Sequence, residues 1–447
     1  MTTSIRSSLS TISPAEVHAI LGRHILADGY DIVVDFDRCH GAWLHDARSG
    51  RDILDFCAFF ASNPIGYNHP KMKEPVFQAA LRRVAQLKPA LSDLYSVEYA
   101  WFVETFGRIA MPPHLKYAFF IEGGTLGVEN ALKVAFDWKV RRNRASGVAG
   151  VRGQKILHFR EAFHGRSGYA LSLTNTDPTK TDLFPKFDWP RVTNPKLRFP
   201  VTPEVERDVE AAEQRALDEV DAAFAASADD IAAILIEPIQ AEGGDNHFRA
   251  PFLQALQARA HRYGAFFVLD EVQTGVGITG KMWAHEHFGL RPDAISFGKK
   301  VQVGGCLVGP RVDEEPENVF KVSSRINSTW GGGLTDMVRS ARFLEIIEED
   351  GLVDNARVVG ERLLAGLVSL QEESGGKIAG ARGRGLMIAF DLPTPDMRAR
   401  ALDVLLANGL LTLGCGPRSV RFRPALDLGA AEADAALDIL RRSIKEF

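Results

Sequence analysis

The stretch Phe266-Phe-Val-Leu-Asp-Glu-Val-Gln-Thr-Gly275 runs apolar residues straight into two carboxylates and a turn of small residues. Unbroken by polar alternation, the apolar run predicts a strand covered on both faces, with Asp270 at its carboxyl end. That is the edge at which open α/β sheets bind ligands. A carboxylate there needs a partner. A protonated heteroaromatic nitrogen is one solution, because the ion pair keeps such a ring electron-poor. A carboxylate that caps the next segment, or pairs with a structural arginine, is the plainer one.

Working outward, 155–159 and 231–236 are apolar runs of the same kind, and helix and strand patterns alternate between about residues 70 and 330. The pattern predicts an α/β architecture, a mostly parallel sheet between helices. Residues 211–226 read as an Ala-rich surface helix. Ser13-Pro14 reads as the N-cap and first turn of an opening helix, followed by mixed short strands. Beyond the sheet, 338–370 reads as one long helical pattern, 383–390 and 419–423 as Gly-rich strands, and the end as a helix. The expected division is an N-terminal segment, 1–69, contributing to a small α+β domain, a large domain, 70–335, and the rest of the small domain, 336–447. A length of 447 residues accommodates this.

Composition narrows the classes. A net charge of −4, with 45% hydrophobic and 25% charged residues, describes an ordinary globular chain and argues against a general nucleic-acid binder. Cys39, Cys57, Cys306 and Cys415 show no paired spacing, which argues against a zinc site or a disulfide framework and fits a cytoplasmic setting. No segment approaches the roughly 18 apolar residues of a membrane span, and no signal-peptide core is visible. His285 and His287 alternate rather than falling at helical spacing, so no metal site is expected.

Three segments could carry chemistry. Ile121-Glu-Gly-Gly-Thr-Leu-Gly127 precedes a helical stripe at Val128, Ala131, Leu132, Ala135 and Phe136. Backbone amides of Gly123, Gly124 and Thr125 at such a helix start suit a phosphate, though a tight turn before a packed helix reads equally well. Asp270 is the second. In the third, 291–305, a short apolar strand delivers Lys299 and Lys300 between small residues, where a desolvated amine could form a Schiff base with an aldehyde; the plain alternative is solvated surface charge. One motif pulls elsewhere. Gly275-Val-Gly-Ile-Thr-Gly280 spells GxGxxG after a strand, the mark of a nicotinamide-dependent oxidoreductase, but the short aromatic-rich 281–288 gives it no long helix to open.

Taken together, EGGTLGVENALK (122–133), FHGRS (163–167), EPIQAEGG (237–244), LDEVQTGVGITG (269–280), PDAISFGKK (292–300) and NSTWGG (327–332) resemble the class III, or omega, aminotransferases, pyridoxal-phosphate enzymes of fold type I. The resemblance spans about residues 30 to 430. The longer runs FHGRSGYALSLTNT, FPKFDWPR, NHFR and NSTWGG are most similar to the branch acting on the ε-amine of L-lysine.

The resemblance implies pyridoxal 5'-phosphate as cofactor and Lys299 as the lysine that carries it, with Lys300 the runner-up. It implies Asp270 at the pyridine nitrogen, Gln273 at the phenolic oxygen, Phe163 stacked on the ring and Gly124 with Thr125 at the phosphate. Thr329 and Ser328 would reach the phosphate from a neighbouring subunit, making a homodimer with shared sites. His164 reads as a packed imidazole beside the ring, and Glu237 as a support for the strand end and Gln273. For substrate, the resemblance implies Arg166 and Asn327 at the distal carboxylate and Arg421 at the α-carboxylate of glutamate or 2-oxoglutarate, with Glu242 pairing Arg421 when lysine is bound and swinging away for 2-oxoglutarate. Ornithine, 4-aminobutyrate or a diamine are the alternative donors. Gly333, where a polar residue is expected, and a bulky Phe60 at the pocket entrance bear on chain-length preference.

Overall fold

A computed structural model describes residues 12–227 and 229–447. At its centre are seven strands: β1 (Tyr117–Ile121), β2 (Lys155–Phe159), β3 (Arg191–Val192), β4 (Ile231–Ile236), β5 (Phe266–Asp270), β6 (Ala294–Phe297) and β7 (Gly304–Val308). They form one sheet in the order β1-β7-β6-β5-β4-β2-β3. Only β7 runs against its neighbours; the other pairings are parallel.

The unbroken apolar runs follow from burial on both faces. Ile156, Ala233, Leu235, Phe266 and Val268 pack on one side against Val128, Ala131, Leu132 and Ala135 of helix α1 (Gly124–Ala145). The alternating residues Leu157, Ile234, Ile236, Phe267 and Leu269 enter the larger core on the other side. With period-two alternation and apolar cover on each face, no polar residue is left within β4. The sheet's carboxyl edge therefore gathers the first polar residue after each run.

The rest of the chain builds a second face for that edge. A four-stranded antiparallel sheet has the order Ala379–Arg384, Met387–Asp391, Ser419–Phe422, Leu413–Cys415. Asp52–Asp55 pairs in parallel with Leu410–Leu411, so the early chain is stitched to the late one. Two readings need correction. The pattern at 338–370 is broken into α2 (Leu334–Glu349) and α3 (Leu352–Glu373), because Gly351 takes a left-handed φ of 64° between them. The strand read at 383–390 is a hairpin, turning at Gly385 with φ 54°. The opening turn is as read, with Ser13 and Glu16 forming a capping box.

Helix α1 lies so close to β7 that a Cβ on Gly127 would stand 2.5 Å from the Gly305 carbonyl oxygen and 2.8 Å from its nitrogen. Gly127→Ala should therefore destabilise the protein by about 1–3 kcal/mol. Gly107, also helical but with open space around it, should tolerate alanine or gain about 0.5–1 kcal/mol. The urea midpoint should fall for Gly127→Ala and hold or rise for Gly107→Ala.

Candidate active site

At the carboxyl edge lies a cavity of about 600 Å³, lined by residues from β1, β2, β4, β5 and β6 ends and from the second sheet. Asp270 ends β5 and is buried. Its Oδ1 accepts from the Val272 amide and the Ser296 hydroxyl, both at 3.0 Å, and its Oδ2 accepts from His164 Nδ1 at 2.8 Å. Three donors leave this carboxylate little freedom to turn. His164, read as a packed imidazole, thus orients Asp270 directly.

Lys299 follows β6 through Gly298, and a Cβ on Gly298 would stand 2.9 Å from the Gly124 Cα. The strand end and the start of α1 meet there because neither carries a side chain. Burial, then repulsion from Arg421 and Arg423, lowers the Lys299 amine to about 8. Lys299 lines the cavity; Lys300 does not, its buried amine donating to the Ala61 carbonyl at 2.7 Å. Lys299 Nζ donates to the Phe60 carbonyl at 2.8 Å.

Gly124 and Thr125 open α1, where the first amides have no acceptor within the helix and the dipole is positive. The Thr125 hydroxyl is 2.9 Å from that of Ser167, which donates to Glu129 at 2.7 Å. Phe163 and exposed Arg166 line the same cavity. Glu237 does not support Gln273 as read. Its oxygens accept from the Phe163 and Ala241 amides, each at 3.0 Å, and burial raises its carboxyl to about 7. Gln273 is held from the second sheet: its carbonyl oxygen accepts from Arg423 at 2.9 Å and Arg421 at 3.3 Å. Arg423, fully buried and ion-paired with Asp245, was not singled out in the sequence.

Arg421, on strand Ser419–Phe422, donates to Glu242 Oε2 at 2.6 Å, so the two form an ion pair. A residue the motifs did not signal joins it: Lys180 donates to Glu242 Oε1 at 2.5 Å. Burial alone would raise the Glu242 carboxyl, but Arg421 and Lys180 outweigh it and hold it below the usual range. Tyr30 also lines the cavity, its hydroxyl pushed up to about 12 by burial.

Asn327, Ser328 and Thr329 are the predicted residues that the fold does not bring here. Asn327 accepts from the Ser328 amide at 2.7 Å and the segment lies outside this chain's cavity. Gly333 also lies outside it, as N-cap of α2 between Asp336 and Glu122, whereas Phe60 is on its wall. The GxGxxG reading fails on structure: 275–280 is a chain of turns folding back through Val276 N to the Met282 carbonyl, followed by the short 3₁₀ turn Ala284–Phe288 and no βαβ helix.

Comparison with known proteins agrees with this geometry. The family model for aminotransferase class-III matches residues 25–444. The chain is a class III aminotransferase. It is 49% identical over 431 residues to the L-lysine-epsilon aminotransferase of Amycolatopsis lactamdurans, covering 96% of this chain and 95% of that protein. It superposes on the lysine aminotransferase of M. tuberculosis with a TM-score of 0.95 at 47% identity, over 97% of this chain and all (100%) of the other. The mitochondrial 4-aminobutyrate aminotransferase of Homo sapiens is 31% identical, over 94% of this chain and 86% of its own length.

The donor set fits the cofactor of that family. An anion cradle at the start of α1, an immobilised carboxylate on β5 and an amine of lowered proton affinity after β6 converge on one cavity. They match a phosphate, a protonated ring nitrogen and an aldehyde respectively. In protein freed of cofactor, Lys299 is protonated and unreactive below its pKa and nucleophilic above it. Competitive acylation followed by peptide mass spectrometry should show half-maximal labelling of Lys299 near pH 8, while exposed lysines follow the ordinary value near 10.4.

Proposed function

We propose that this class III aminotransferase moves the ε-amino group of L-lysine to 2-oxoglutarate with pyridoxal 5'-phosphate, giving 2-aminoadipate 6-semialdehyde and L-glutamate. The observation that carries the reading is the Glu242–Arg421 pair on the cavity wall. A donor presenting its ε-amine lays an uncharged methylene chain near Arg421, and Glu242 neutralises that guanidinium. A donor or acceptor presenting its α-carbon brings a carboxylate there instead, which the guanidinium fork grips bidentately. One wall thus serves two substrates of opposite demand. The naming of the Amycolatopsis and M. tuberculosis relatives supports the same donor.

When bound, pyridoxal phosphate supplies an aldehyde that condenses with amines and a cationic ring that draws electrons from the carbon beside the nitrogen. Gly124 and Thr125, at the start of α1, would hold its phosphate by backbone amides and a hydroxyl. Asp270, its carboxylate fixed by His164 and Ser296, would keep a proton on the ring nitrogen. Gln273 would meet its phenolic oxygen and Phe163 would pack on its ring, both side chains lining the cavity. Lys299, once its amine is free, would take the proton from the substrate's ε-carbon and deliver it to the cofactor carbon on the other side of the shared nitrogen, its lowered pKa suiting both steps near neutrality. Arg166 takes the distal carboxylate of the acceptor.

Asn327, Ser328 and Thr329 would complete the site of a second copy of this chain, Thr329 and Ser328 at its phosphate and Asn327 at its substrate. Their position outside this chain's own cavity supports a homodimer with shared sites. Four unpaired cysteines support a cytoplasmic setting. No helix among the described residues is long and apolar enough to cross a membrane.

The test is a visible spectrum. Purified protein should be yellow, and L-lysine should bleach that band faster than ornithine or 4-aminobutyrate does; a band untouched by lysine refutes the donor. Lys299→Ala should retain the phosphate-anchored cofactor yet lose about 10²–10⁴-fold or more in turnover. Glu242→Ala should lower kcat/KM for lysine by about 10–100-fold, while the glutamate half-reaction is spared.

A further inference from the structure

Lys180 reaches Glu242 at this site and has no role in the reading above. It closes the short turn Pro178–Lys180, whose first amide is capped by Asp177, Thr179 N donating to Oδ1 at 3.0 Å. From that turn its side chain reaches Glu242, and its ammonium stands 5.7 Å from the centre of the Phe163 ring. Glu242 is therefore a bridge. One oxygen takes Lys180 at 2.5 Å from the loop after β2, and the other takes Arg421 at 2.6 Å from the small antiparallel sheet.

The three differ in how firmly they are held. Arg421 is 5% exposed and also bonds Gln273, whereas Lys180 and Glu242 are 19% and 23% exposed. The rigid member is the one a substrate carboxylate must reach. For that carboxylate to bind, Glu242 has to leave Arg421 from a position already largely withdrawn from water. A carboxylate giving up a charged hydrogen bond with no other partner in reach forfeits about 10–100-fold in the equilibrium. With Lys180 already on its second oxygen, Glu242 can turn about its side-chain bonds and keep one ion pair throughout. Lys180 also pulls on the carboxylate oxygen opposite the one Arg421 holds.

We propose that Lys180 is a specificity-determining positioning residue: it holds Glu242 in its displaced position and so opens Arg421 to the α-carboxylate of the amino acceptor. The inference rests on the reading in which Glu242 leaves Arg421 for the acceptor. It assigns Lys180 to the acceptor half of the reaction. With lysine bound, Glu242 stays on Arg421 and Lys180 is dispensable. With 2-oxoglutarate or glutamate bound, Lys180 is the sole cation on Glu242.

The probe is glutarate, a dicarboxylate with no group to react, titrated calorimetrically into the holoenzyme beside half-reaction rates with L-lysine and L-glutamate. Lys180→Met should weaken glutarate about tenfold and raise the glutamate KM likewise, while the lysine half-reaction moves less than about threefold. Lys180→Arg should restore glutarate binding. With Glu242→Gln there is no carboxylate to hold, so adding Lys180→Met should change glutarate binding less than about twofold. Equal losses for lysine and glutamate would mark Lys180 as merely structural and overturn the proposal. Tighter glutarate binding in Lys180→Met would mean that Lys180 holds Glu242 closed. An undiminished Lys180→Met effect in the Glu242→Gln background would mean that Lys180 binds the dicarboxylate itself. Wild-type enzyme that ignores glutarate also overturns it, Arg421 then being closed to carboxylates. Because the titration needs no lysine turnover, a protein that rejects lysine as donor fails the earlier reading and still reports the Lys180–Glu242 coupling.

Discussion

The site depends on one immobilised carboxylate. Asp270 is placed by β5, a strand buried along its whole length, and is then locked by an imidazole, a hydroxyl and an amide. The hydroxyl belongs to Ser296 on neighbouring β6, in register with Asp270, and the imidazole to the segment after β2. The same parallel pairing that aligns these donors brings Lys299 past the end of β6 and Glu237 past the end of β4. Chemistry at this edge is consequently a property of sheet register, and a shift of β5 by one residue would bury Asp270 on the wrong face.

Opposite that edge, the chain does something costly. Ala58, Phe59, Phe60 and Ala61 all have left-handed φ values, 44°, 49°, 61° and 67°. For residues with a Cβ this costs about 1–2 kcal/mol each. The turn persists because its carbonyls are gripped in succession: Phe60 by Lys299, Ala61 by Lys300 and Ser62 by Gln302. From below, Asp55 accepts from the Cys57 and Ala58 amides, each at 2.8 Å. Lys300 is thus a fastener. Burial depresses its amine well below the ordinary lysine value, which a donor to a single carbonyl accommodates more readily than a buried ion without a partner.

The sequence was most legible where one physical effect dominates. Apolar runs ending in Asp270, Glu237 or Lys299 mark strand ends because a two-sided core tolerates no polar residue until the edge. The break at Gly351 was visible in principle, as a glycine after Glu348-Glu-Asp350. It was overridden because apolar periodicity resumes at Leu352. The left-handed turn at 58–61 was illegible, since Ala-Phe-Phe-Ala carries none of the glycine or asparagine that signals such backbone. Gln273's neighbours were illegible for another reason. Arg423 and Asp245 meet only through the packing of the small sheet against the 241–246 segment, and no local pattern relates residues so far apart. Lys180 was hidden likewise, lying 62 residues before Glu242 in a loop whose composition suggests only a turn.

The charges near Lys299 explain why one lysine could serve both halves of the proposed reaction. Its amine is lowered first by burial and then by Arg421 and Arg423, with Glu242 acting in the opposite sense. Arg423 is permanently offset by Asp245. Arg421 is offset by Glu242 in the arrangement seen here, and in the acceptor half the incoming carboxylate would stand where Glu242 now stands. Exchanging one carboxylate for another leaves the field at Lys299 nearly constant. A neutral side chain in place of Glu242 would not do this: Arg421 would be offset in one half-reaction and bare in the other, and the proton affinity of Lys299 would shift between them. In the proposed reaction, a carboxylate that can leave, rather than a smaller neutral residue that would never obstruct Arg421, is therefore the solution that would keep the base matched to both of its tasks.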